Sequence, residues 1–139
     1  MITAYFDTSA LVKGGLDEPG ADLVRSLWDA ASVRCTSRLG EVEVVAALAA
    51  GRRAGRLSSA GHRRAVEVWR EMADQLVMVE LAPQVAAAAS ILAVQHHLTG
   101  ADAVHLASAI QLGGDTVFAC WDERLRTAAE REGLGLSPP

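Results

Sequence analysis

The chain has 139 residues, half of them hydrophobic and 22% charged, with a net charge of −4. That length gives a single domain, residues 1–139, able to bury its own core without disulfides or metals, and leaves no room for a second. The composition excludes a disordered chain, and the acidic balance excludes a globally basic nucleic-acid binder, so any anionic substrate must be held by a local patch or by metal ions.

In chain order, residues 2–7 read as a buried strand ending on Asp7. The Pro19-Gly20 turn opens an amphipathic helix through about residue 31, with Leu23, Leu27 and Ala30 on one face. Residues 33–36 form a second short strand, and Ser37 caps a helix over 38–50. The segment "GRRAGRLSSAG" breaks the chain before another helix through about residue 75, and "LVMVEL" (76–81) is a third strand. An alanine-rich helix follows over 84–97, Thr99 caps a helix over 100–112, and "TVFAC" (116–120) is a strand leading into a helix over 122–132. A last "LGL" adds an edge strand. Strands alternating with helices predict an α/β fold with three α/β/α layers around a mainly parallel sheet, whose ligands gather at the carboxyl ends of the strands. Cys35 and Cys120 lack metal-ligand spacing and are expected as buried thiols. With no signal-like start and no membrane-length apolar run, the expected location is the cytoplasm.

Four of the seventeen acids sit where a carboxylate is awkward. Asp7 and Asp122 follow buried strands, a position where an Asp also commonly caps the next helix. Glu43 has only Leu39, Gly40, Ala46 and Ala47 three or four positions away, so it needs a distant partner, either an arginine or a metal ion. Asp102 stands three residues after Thr99 in a capping-box spacing. With Ala103, Leu106, Ala107 and Ile110 as the core stripe, Asp102 and His105 fall together on a flank away from its centre. Four such carboxylates brought to one sheet edge would repel unless cations neutralise them. Oxygen-only ligands suit Mg²⁺ or Mn²⁺, and the chemistry that follows is hydrolysis of a phosphodiester backbone.

"FDTSALVK", "TSRLGEVEVVAAL", "LTGADAVHLASAI" and "VFACWDERL" make the chain resemble, over nearly its whole length, the PIN-domain ribonucleases and specifically the VapC toxins of bacterial toxin and antitoxin pairs. The resemblance implies the α/β/α sandwich, Mg²⁺- or Mn²⁺-dependent endoribonuclease activity, a cognate VapB-like antitoxin as partner, and a homodimer. It implies Asp7, Glu43, Asp102 and Asp122 as the metal-binding and catalytic acids, with Ser9 orienting the cluster. Where many relatives have Thr or Ser two places before the fourth acid, this chain has Cys120, which implies a weaker hold on Asp122.

Arg52, Arg53 and Arg56 lack close acidic neighbours and are expected as RNA phosphate contacts, although the same arm could meet the antitoxin. Trp28, Trp69 and Trp121 read as packing or interface residues. Two other readings stay open: an RNA- or protein-binding module without cleavage, and a phosphatase using Asp7 as nucleophile. The second is weakened because residue 9 is Ser where such phosphatases carry a second Asp.

Overall fold

The structure, a computed structural model, describes residues 1–139 as five strands and seven helices. They are β1 (Thr3–Phe6), α1 (Thr8–Gly15), α2 (Ala21–Ala30), β2 (Val33–Ser37), α3 (Arg38–Arg53), α4 (Ser59–Ala73) and β3 (Val77–Val79), followed by α5 (Pro83–His96), α6 (Gly100–Leu112), β4 (Val117–Ala119), α7 (Glu123–Arg131) and β5 (Gly135–Ser137). Every strand pairing is parallel, in the order β3-β2-β1-β4-β5.

Side-chain alternation along the strands splits the core in two. Tyr5, Cys35, Phe118 and Cys120 point into one layer with Val85, Leu92, Leu106 and Leu125 from α5, α6 and α7. Ala4, Phe6 and Ala119 point into the other, with Leu11, Val24, Val44, Leu48 and Trp69 from α1 to α4. This is the expected three-layer sandwich. Both cysteines are free and buried, and no helix is long and apolar enough to cross a membrane.

Three local expectations need correction. Helix α1 occupies a stretch with no predicted element: Thr8 and Val12 are β-branched and Gly14-Gly15 are poor helix formers, yet an N-cap at Asp7 and packing on α2 and α3 override that propensity. Gly14 is needed there, since a Cβ at this position would lie 2.9 Å from Val24 Cγ1. In α2 the buried face is Ala21 and Val24, whereas Leu23 and Ala30 are exposed, because the helix is rotated to lay Val24 against α1. The third strand is only Val77–Val79, on the sheet edge, with Val77 and Leu81 exposed.

The chain runs from β1 outward to β2 and β3, then crosses back to β4 on the other side of β1. The gap between β1 and β4 is therefore the point where strand order reverses, and their carboxyl ends flank the crevice that such sheets use for ligands.

Candidate active site

Each strand at the switch point hands its chain to a helix through an aspartate. Asp7, 6% exposed, N-caps α1: its Oδ1 accepts from Ala10 N at 2.9 Å and from Ser9 Oγ at 2.8 Å. Asp122 N-caps α7, its Oδ1 accepting from Leu125 N at 2.9 Å. Capping and site-building are thus one arrangement, since a cap occupies one carboxylate oxygen and leaves Oδ2 for the crevice. Asp7 N also donates to Ala119 O at 3.2 Å, which fixes the two strand ends against each other.

The distant partner of Glu43 is a histidine. His105 Nε2 lies 2.6 Å from Glu43 Oε1, and Thr8 Oγ1 donates to the same oxygen at 2.7 Å. An ionised carboxylate only accepts, so Nε2 carries the proton, and Nδ1 accepts from Tyr5 Oη at 2.7 Å. Burial pushes the Tyr5 phenol far up, keeping it a donor. The hydrogen bond from His105 holds Glu43 below the usual carboxylate range against the opposing effect of burial. His105 lines the cavity with Asp102, as their shared flank predicts, but it is only 2% exposed: α6 is buried nearly all round, and its histidine is accommodated by bonding to β1 and α3. Gly40 lets α3 lie close on β2, because a Cβ there would sit 2.7 Å from Thr36 Oγ1, while its 3.6 Å distance from His105 Cε1 would be an ordinary contact.

Asp102 sits in the first turn of α6, where Asp102 N donates to Thr99 Oγ1 at 3.2 Å. Burial, and then the facing Asp122, raise its carboxyl above the ordinary value. Desolvation likewise raises Asp7, despite the stabilising bonds from Ala10 and Ser9.

All four acids line one cavity of about 410 Å³, together with Thr8, Ser9, Lys13 and His105. Lys13, Thr8, Glu18, which also lines the cavity, and the Tyr5 hydroxyl behind His105 are the groups that reading the sequence missed. Lys13 is the only lysine of the chain, and its position six residues after Asp7 was the available signal. Its Nζ is 3.8 Å from Glu18 Oε2 and lies 5.3 Å above the Trp121 ring. Cys120 makes no hydrogen bond to Asp122, whose carboxylate accepts from Leu125 N as the α7 cap. Arg52 and Arg53 stand exposed on the last turn of α3, and Arg56 lines a neighbouring cavity with Asp17 and Glu18.

The donor set fits a hard divalent cation. It is all carboxylate, the capped or braced acids Asp7, Glu43 and Asp122 each accept their bonds on one oxygen and keep the other unbonded, and two of the four acids carry raised pKa values that a bound cation would relieve. No three His, Cys, Asp or Glu side chains form a closed ligand cage. A Mg²⁺ ion held here would therefore rest on one or two carboxylates and keep several waters.

Residues 4–131 match the PIN domain family. The chain is 42% identical over 139 residues to ribonucleases VapC45 and VapC49 of Mycobacterium tuberculosis, covering 99% of this chain and 96% of each relative. It is 32% identical over 144 residues to ribonuclease VapC46 of the same species, covering 100% of this chain and 99% of that one. Among solved structures it superposes on M. tuberculosis VapC20, a sarcin-ricin loop cleaving toxin, with a TM-score of 0.69 at 19% identity, over 90% of this chain and 94% of that one. Rickettsia felis VapBC2, bound to a DNA fragment from their promoter, gives a TM-score of 0.69 at 9% identity, over 98% of both chains. At those identities the two structures speak for the fold.

Proposed function

The chain belongs to the PIN-domain family, and on that premise we propose that it is an Mg²⁺- or Mn²⁺-dependent endoribonuclease acting in the cytoplasm as the toxin of a toxin and antitoxin pair. The observation that supports this reading is the meeting of Asp7, Glu43, Asp102 and Asp122, from four separate stretches of chain, in one cavity at the switch point of a parallel sheet.

When bound there, a divalent ion supplies activation of water and neutralises charge on the phosphodiester under attack. The chain's own part is positioning. Asp7 and Asp102, with Glu43 and Asp122 beside them, would hold the ion. Ser9 and Ala10 N fix the Asp7 carboxylate, and His105 and Thr8 fix that of Glu43. Lys13, the one lysine or arginine lining the cavity, offsets the acids and faces an incoming phosphate. Arg52, Arg53 and Arg56 are the proposed phosphate contacts beyond the α3 side of the cavity. The proposed partners are RNA as substrate, a VapB-like antitoxin as inhibitor and a second copy of the chain in a homodimer.

The test is cleavage of a broad panel of structured and single-stranded RNAs by protein freed of antitoxin, with Mg²⁺ or Mn²⁺ and with chelator. Metal-dependent cleavage that Asp7→Asn abolishes supports the reading. An intact panel favours a binding module, and equal cleavage by Asp7→Asn indicates a contaminating nuclease.

A further inference from the structure

Two cavities adjoin the acid-lined one and share residues with it. On the α3 side, a cavity of about 360 Å³ shares Val12, Glu18 and Ala47 and reaches Arg56. On the other side, a groove of about 940 Å³ shares Asp102 and Asp122 and runs along α7 to Arg131. The three form one track with the acids at its middle.

We propose that the α7 groove is a binding subsite for single-stranded RNA on the far side of the scissile phosphate from Arg56, with Arg124 and Arg131 contacting the RNA backbone. This deepens the ribonuclease reading and rests on it. Positions 124, 127 and 131 are spaced to lie on one exposed helix face, where the Thr127 hydroxyl donates to Glu123 O at 2.9 Å and the two arginines supply the free donors. None of the six ion pairs in the structure involves Arg124 or Arg131. Arg124 Nη1 donates to His97 O at 3.1 Å, which ties α7 to the turn between α5 and α6 and leaves the rest of its guanidinium fork free. That turn forms the opposite wall, where Thr99 offers a hydroxyl and His97, in the left-handed region at φ 55, offers an imidazole.

The chemistry of the lining favours a nucleic-acid strand over a peptide. Of eleven lining residues only Leu98 and Ala128 are hydrophobic, so the groove lacks the aromatic or aliphatic anchors of a protein interface. Arginine forks and hydroxyls are the groups that hold phosphates. Asp102, Asp122 and Glu123 line the groove as well; the first two belong to the cation-binding acids, and Glu123 is left to oppose the strand as a built-in restraint on affinity.

The experiment measures binding of a fluorescent single-stranded RNA of mixed sequence to Asp7→Asn protein across a salt series, alone and combined with Arg131→Ala, Arg131→Lys or Glu123→Gln. Arg131→Ala is expected to weaken binding about fivefold and to lower the log–log salt slope by about 0.7, the value of one lost phosphate contact. Arg131→Lys should restore the slope, and Glu123→Gln should tighten binding, with thermal midpoints unchanged throughout. Unaltered affinity and slope in both Arg131→Ala and Glu123→Gln overturn the proposal while leaving the ribonuclease reading intact. So does loss of antitoxin capture, with RNA binding unchanged, in Arg131→Ala. No RNA binding by Asp7→Asn together with no cleavage by wild type overturns both.

Discussion

Asp7 and Glu43 line the same cavity but are held in opposite ways. The Asp7 carboxylate is fixed by its immediate neighbours, Ser9 and Ala10, as a helix cap, whereas Glu43 is fixed by Thr8 and His105, 35 and 62 residues away, with Tyr5 behind the imidazole. A local device of this kind survives conservative substitution, while a long-range relay fails as a unit, because each removed group strands a buried partner.

The largest effect belongs to the local side. Asp7→Asn should lower cleavage at least about a thousandfold, since a metal ligand is worth several kcal/mol of transition-state stabilisation. The fold should nevertheless hold, because the Asn carbonyl can still accept from Ala10 N. With divalent metal chelated, the variant should melt at or above the wild-type midpoint at neutral pH, as burial raises the Asp7 pKa and makes its ionised form costly. That advantage should shrink as pH falls through the raised folded value toward the ordinary one near ~4, where both states bind the proton. Adding Mg²⁺ should raise the wild-type midpoint and leave Asp7→Asn nearly unmoved, which differential scanning fluorimetry reads directly.

The relay comes next. His105→Ala should cut activity about 10- to 100-fold, as loss of a group orienting a ligand does, and cost about 1–3 kcal/mol in urea unfolding by stranding the Tyr5 hydroxyl. Tyr5→Phe should lose less of both. Equal losses in the two variants would mean that the phenol, and not the imidazole, sets the Glu43 geometry.

Gly40→Ala tests the packing of α3 on β2, which carries Glu43 to the relay. Thr36 cannot yield easily, because its hydroxyl donates to Phe6 O at 2.8 Å in the core. The variant should lose about 1–3 kcal/mol, with an activity deficit that persists at temperatures where it is fully folded. The smallest effect is expected for Ser9→Ala, about tenfold or less in rate and about 1 kcal/mol in stability, because Ala10 N still holds Asp7.

The same contrast explains what could be read from the sequence. Asp7, Asp102 and Asp122 were recognisable because each stands at a boundary between elements, where strand ends, cap residues and spacing are local signals. Glu43 was recognisable only as a residue lacking a partner. The expected candidates for that partner were arginine or metal; the histidine was placed beside Asp102, but nothing local tied it to Glu43, because a helix buried nearly all round has no polar face to show which way its histidine reaches. Helix α1 was hidden by β-branched residues and glycines whose weak propensity is outweighed by contacts with α2 and α3.

The sequence by itself determined the alternation of strands and helices, the parallel sheet they require, and the placing of three acids at element ends, because periodicity and capping act over a few residues. Only the tertiary structure decided that β1 sits between β2 and β4, that His105 reaches Glu43, and that Asp102 and Asp122 line both the acid crevice and the α7 groove. Those are contacts between residues far apart in the chain, and they exist only once both faces of the sheet are packed.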